Sequence, residues 1–162
     1  MIIGHLPAGY IVAKLCAKKC DHTVINVLFF ILAGVMGGIA PDLDMLYFHL
    51  IDQRQHHHHT YWSHYPIVWA LLCVISGAWY RYATNRSTAA IALIFSMGGF
   101  IHLLLDSIVG DIWWLSPFID KPYALFTVPA LYDPWWLNFI LHWSFALEIS
   151  LLLWATYVWF KK

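Results

Sequence analysis

The chain has 162 residues, 61% of them hydrophobic and 11% charged, with a mean hydropathy of +0.64. Soluble domains run nearer roughly 45–50% apolar and about 25% charged, so this composition excludes an ordinary water-soluble domain and points to an integral membrane protein. Nine Lys+Arg balance nine Asp+Glu, which gives no net positive charge for binding nucleic acid.

Residues 1–13 form a short apolar segment, expected as a half-spanning or interfacial helix. No basic region precedes it, so it does not read as a cleavable signal peptide. Cys16, Cys20 and Cys73 are odd in number and lie in or beside apolar runs, which favours buried thiols over a disulfide framework. Residues 24–40, 65–83, 88–110 and 135–160 are the candidate spanning helices. A helix needs roughly 20 residues to cross the hydrocarbon core, and the first of these is slightly short. The expected architecture is an all-α polytopic bundle of about four transmembrane helices plus a short N-terminal helix, forming one domain over 1–162.

The basic residues orient this arrangement. Lys14, Lys18, Lys19, Arg81, Arg86, Lys161 and Lys162 fall on one side, and Arg54 and Lys121 on the other. By the positive-inside rule, connections 41–64 and 111–134 face outward, which is the periplasm for a bacterial inner membrane. Trp113, Trp114, Trp135 and Trp136 bracket the second connection and suit an aromatic belt at headgroup level. The Gly34-x-x-x-Gly38 spacing and Gly98-Gly99 mark close helix packing.

With that orientation, several ionisable residues converge on the outer face. His102 and Asp106 stand four apart on the third span, on one helix face, where they can bind one metal ion or pair with each other. In "GGIAPDLD", Pro41 is expected to end the first span. Asp42 and Asp44 would then point the same way from an extended segment, towards one ion or two. Alternatively Asp44 ligates and Asp42 orients a ligating imidazole. The loop supplies His56, His57, His58, His59 and His64, of which one or two are expected to act; His56 and His57 read as solvated. His5 starts near the same face, and His142, seven residues after Trp135, reaches a depth like that of His102.

Mixed imidazole and carboxylate donors without thiolate suit catalytic Zn²⁺, or Mn²⁺, more than a structural zinc site. Such a site activates water for hydrolysis, with Asp42, Asp44 or His142 as general base. The alternative is a metal-binding or transport protein, for which Glu148 in the last span is the main argument.

The order His5…Gly9, Pro41-Asp42-Leu43-Asp44, His59…His64 and "HLLLDSIVGDIWWLSPF" resembles the YdjM-like family of membrane-bound metal-dependent hydrolases across about residues 1–118. Thr60 and Ser63 depart from that family's usual arginine and threonine. The order is also similar to that of zinc-dependent phospholipases C. The resemblance implies Asp44, His64, His102 and Asp106 as core ligands, with His5 and Asp42 near a second metal. It also implies hydrolysis of a phosphoester or ester of a lipid or membrane-associated substrate.

Overall fold

A computed structural model describes residues 1–18, 20 and 25–161. Lys19, Lys162 and the first residue of the 24–40 segment, Val24, lie outside the described residues. The described chain is all-α. Its helices are α1 (His5–Ala17), α2 (Val27–Ile39), α3 (Asp44–Leu50), α4 (Pro66–Tyr82), α5 (Ser87–Val109), α6 (Trp136–Ile140) and α7 (Ser144–Phe160). Only an isolated antiparallel bridge, Ile112 to Tyr123, interrupts this among the described residues.

Local chemistry sets several of the boundaries. Asn26 Oδ1 accepts from the amides of Leu28 and Phe29 at 3.0 and 3.3 Å and starts α2. Pro66 opens α4 at a position where its missing N–H is not needed. The expected helix 135–160 is instead two. At the break His142 Nδ1 pairs with Ser144 Oγ at 2.9 Å and accepts from the Ser144 amide at 3.4 Å.

α5 is the central element, packed against α2, α4 and α1, while α1 also touches α2 and α7. Their contact is made of small residues. A Cβ at Gly98 would stand 2.6 Å from the Gly34 carbonyl oxygen and 2.8 Å from the Gly38 amide nitrogen, and one at Gly37 would run into the Phe95 carbonyl. Backbone meets backbone here, as the Gly34/Gly38 and Gly98 spacing predicts. Gly98→Val should therefore cost about 1–3 kcal/mol by overpacking and weaken metal binding at the centre described below. Thermal unfolding in detergent and metal titration check both effects.

Among the described residues only α5 is by itself long and apolar enough to cross a bilayer. A second candidate exists if α2 and the stretch Pro41–Leu50, bent by 58° from it, count as one broken span. α4 and α7 have 17 residues each. Large apolar side chains nevertheless face outward, among them Val74 and Ile75 on α4 and Leu153 and Trp159 on α7. The buried set includes Ser76, Ser96, His102, Asp106, Ser144 and Glu148.

Candidate metal centre

The turn after α2 decides which acid does what. Ala40 keeps helical dihedrals despite the following proline, and Pro41–Leu43 forms a 3-10 turn that runs directly into α3. The segment is thus helical, not extended. Residues two apart on a 3-10 helix diverge by roughly 120°, so Asp42 and Asp44 point to different places.

Asp42 joins His64, His102 and Asp106 in a group whose ligand atoms all lie within 4.8 Å of one another. His102 Nε2 is 3.0 Å from Asp106 Oδ2 and 3.5 Å from Asp42 Oδ1, and His64 Nε2 is 3.7 Å from Asp42 Oδ1. His59 Nε2 reaches within 3.7 Å of Asp106 Oδ2. Donors around one ion held at about 2.0–2.2 Å lie roughly 3–3.5 Å apart, so the spacing is that of a ligand shell only slightly relaxed.

Each of the three imidazoles is fixed through its other nitrogen. His102 Nδ1 pairs with the Gly38 carbonyl at 2.8 Å, His59 Nδ1 with the Asp111 carbonyl at 2.9 Å, and His64 Nδ1 with Asp44 Oδ2 at 2.6 Å. The first depends on the glycine contact between α2 and α5. The second depends on Gly110, where a Cβ would stand 2.9 Å from His59 Cε1. An acceptor on Nδ1 sets the tautomer and turns the Nε2 lone pair inward, which is how ligating histidines are held. His64 Nε2 and His102 Nε2 are buried without a hydrogen-bond partner in the described structure, although carboxylate oxygens are near. Nitrogens left so, facing two carboxylates, fit a divalent cation.

Asp44, expected as a direct ligand, stands behind His64. Its Oδ2 takes both His64 Nδ1 and, at 2.6 Å, the Ser63 hydroxyl, so it orients that imidazole. Its Oδ1 is unpartnered, as is His58 Nδ1 at 3.8 Å from it. Asp44→Asn, tested by metal titration, should weaken metal affinity by about 10–100-fold without removing a ligand.

His5, at the start of α1, stacks on His102 with ring centroids 3.7 Å apart and puts Nε2 3.1 Å from Asp106 Oδ1. That oxygen also meets the Met1 amino group at 2.5 Å. Glu148 holds this segment in place: its Oε2 accepts from the amides of Ile2, Ile3 and Gly4 at 2.8, 2.5 and 2.9 Å.

In the loop, His59's pKa is pushed down to about 2, chiefly by burial, which outweighs the Asp106 carboxylate and keeps the ring neutral. Burial also works to lower the pKa of His64, but the Asp42 and Asp44 carboxylates beside it prevail and raise it. Metal-free His64 then holds a proton that an ion must displace. Metal binding should release a proton and weaken by about tenfold per pH unit below the His64 pKa. Calorimetry in two buffers of different ionisation heat checks this; a buffer-independent heat contradicts it.

The model of the YdjM inner membrane protein family matches residues 1–161. The chain belongs to that family. No curated protein and no solved structure matches it, so the likeness to phospholipase C rests on motif order alone. In this YdjM family member the structure brings His5, Asp42, His59, His64, His102 and Asp106 to one place, with Asp44 one bond behind. His142 is not in this group; it pairs with Ser144, its ring tilted against that of Trp143. Sequence reasoning missed the backbone carbonyls of Gly38 and Asp111, which no residue type announces. It also missed the clamp made by Glu148, whose signal, a lone acid in an apolar helix, was assigned to an ion path.

Proposed function

We propose that the protein is a membrane-bound metal-dependent hydrolase acting on an ester or phosphoester of a lipid or membrane-associated substrate. The observation that carries this reading is the set of three imidazoles, each pinned through Nδ1, whose Nε2 atoms face Asp42 and Asp106. His59, His64, His102 and Asp106 would hold Zn²⁺ or Mn²⁺, with His5 bracing His102 and Asp106. A divalent ion, when bound, supplies Lewis acidity that activates water for hydrolysis. Asp42 is the most exposed member of the cluster, 37% accessible, and lines the adjoining pocket, which supports it as the group that would take the proton. His142 has no such position.

Transport finds less support. Glu148, its main argument, is occupied by three backbone amides, and Ser96 and Ser76, on the inner side of His102, bond to carbonyls of their own helices at 2.8 and 2.5 Å.

We place α2, α4, α5 and α7 across the inner membrane with the metal centre at the periplasmic side. Helices of 17 residues are about 26 Å long, a mismatch of a few Å that bilayers accommodate. Outward apolar side chains over buried polar ones fit lipid as the surrounding solvent. Single cysteines at Arg54 and Lys121 should be labelled from outside intact cells, and one at Arg86 should not.

Turnover of bis-p-nitrophenyl phosphate and p-nitrophenyl butyrate by purified, metal-loaded protein tests the activity. Hydrolysis of either that is lost on chelation and in Asp42→Ala supports it. Rates indifferent to both, or no turnover of either, oppose it.

A further inference from the structure

Asp42, His59 and Asp106 of the candidate metal centre line a cavity of about 510 Å³ whose walls are of two kinds. One wall is apolar: Met45 from α3, Val109 from the end of α5, Phe126 and Val128 from the connection after α5, and Trp135 and Phe139 at and within α6. The other carries Asp42, Asp106 and Asp111 together with His57, His58 and His59. Asp111 hydrogen-bonds His59 through its backbone carbonyl, so that its carboxylate adds charge to the pocket without serving the anchor. Among the described residues no Lys or Arg lines the cavity, and the Met1 amino group that does is paired with Asp106.

These facts restrict what can sit there. One divalent ion and the Met1 amino group against three carboxylates leave the pocket no surplus positive charge, and neutral imidazoles add none. A dianionic phosphate monoester or a diphosphate would face carboxylates with no Arg or Lys to compensate, whereas groups specialised for such anions use those side chains. The apolar wall, in turn, offers nothing to a sugar or nucleotide and suits a hydrocarbon chain.

We propose that this cavity binds one apolar chain whose adjoining head, placed over the metal cluster, carries at most a single negative charge, as a carboxylic ester or a phosphodiester does. The proposal rests on the metal centre described above but not on turnover, so it is tested by binding. The protein in nanodiscs of uncharged lipid is loaded with Co²⁺, and the loading is measured first. Its visible spectrum is then titrated with dodecyl methyl phosphate and with dodecyl phosphate, two ligands that share a chain and differ by one charge. Amounts are expressed as mole fraction in the disc.

The diester should perturb the cobalt spectrum at a mole fraction at least about tenfold lower than the monoester. Asp111→Asn, which leaves the His59 anchor and the ligands intact, should narrow that preference. Phe126→Ala with Phe139→Ala should weaken the diester at least about fivefold while cobalt affinity stays unchanged. Equal or tighter binding of the monoester overturns the charge assignment. An unchanged diester titration in the double alanine variant overturns the chain assignment. Should that variant misfold, the wild-type comparison of the two ligands still decides the charge limit. Absence of hydrolysis with this binding pattern present would count against the proposed activity alone.

Discussion

His102→Ala together with Asp106→Ala should lower metal affinity by more than about 100-fold, leaving purified protein without stoichiometric metal. The expectation follows from where these two groups stand. His102 Nε2 is the donor with both carboxylates closest to it, and Asp106 connects the two halves of the site, Oδ2 towards His102 and His59, Oδ1 towards His5. Removing them deletes two donors and the contact that draws His5 in. Replacing an orienting partner alone costs about 10–100-fold, so loss of two donors exceeds that range. The two must be removed together: with Asp106 gone and His102 present, an imidazole would stay buried facing Asp42. Elemental analysis after purification from metal-supplemented medium reads the result.

Glu148→Ala should destabilise the protein by about 3–5 kcal/mol and loosen the metal centre from a distance. Three amides converge on one oxygen of a side chain that is 1% exposed, and deleting it leaves the amides of Ile2, Ile3 and Gly4 without that partner, the Gly4 bond being the buried one. Hydrogen bonds to charged groups contribute about 1.5–3 kcal/mol each, and three on one oxygen are not additive. The carboxylate also stands at the N-terminus of α1, where the helix dipole favours negative charge. Because residues 2–4 lead into His5, their release should also free the His5 ring from its stack on His102. Glu148→Gln keeps one acceptor oxygen and the shape, and should recover about half of the loss. Thermal unfolding of the three proteins in one detergent, with metal titration alongside, separates the stability effect from the effect on the site.

Much of this was legible in the residues, and the reasons for the rest are physical. The pairing of His102 with Asp106 followed from four-residue helical spacing inside an apolar run, where an unpaired ionisable pair would be costly. The close approach of α2 to α5 followed from the spacing of Gly34, Gly38 and Gly98. The divergence of Asp42 and Asp44 was not legible. A proline normally pushes the residue before it out of helical geometry. Here Ala40 stays helical, and the 3-10 turn rotates one acid inward and the other behind His64. The break at His142 was hidden because the segment around it is mostly apolar, and the side-chain bond found there joins His142 to Ser144. Glu148 was visible as an oddity, but its partners are backbone amides about 145 residues away, which composition and periodicity do not address.

X-ray absorption and anomalous diffraction at the metal edge, recorded on the purified wild-type protein and on His102→Ala/Asp106→Ala, test the central claim most directly. Wild-type protein should carry a stoichiometric divalent ion with nitrogen and oxygen neighbours only, the anomalous peak lying between the imidazoles of His59, His64 and His102, with Asp42 and Asp106 beside it. The double variant should show neither. Protein that purifies without metal, or a variant that keeps its ion, would contradict the account.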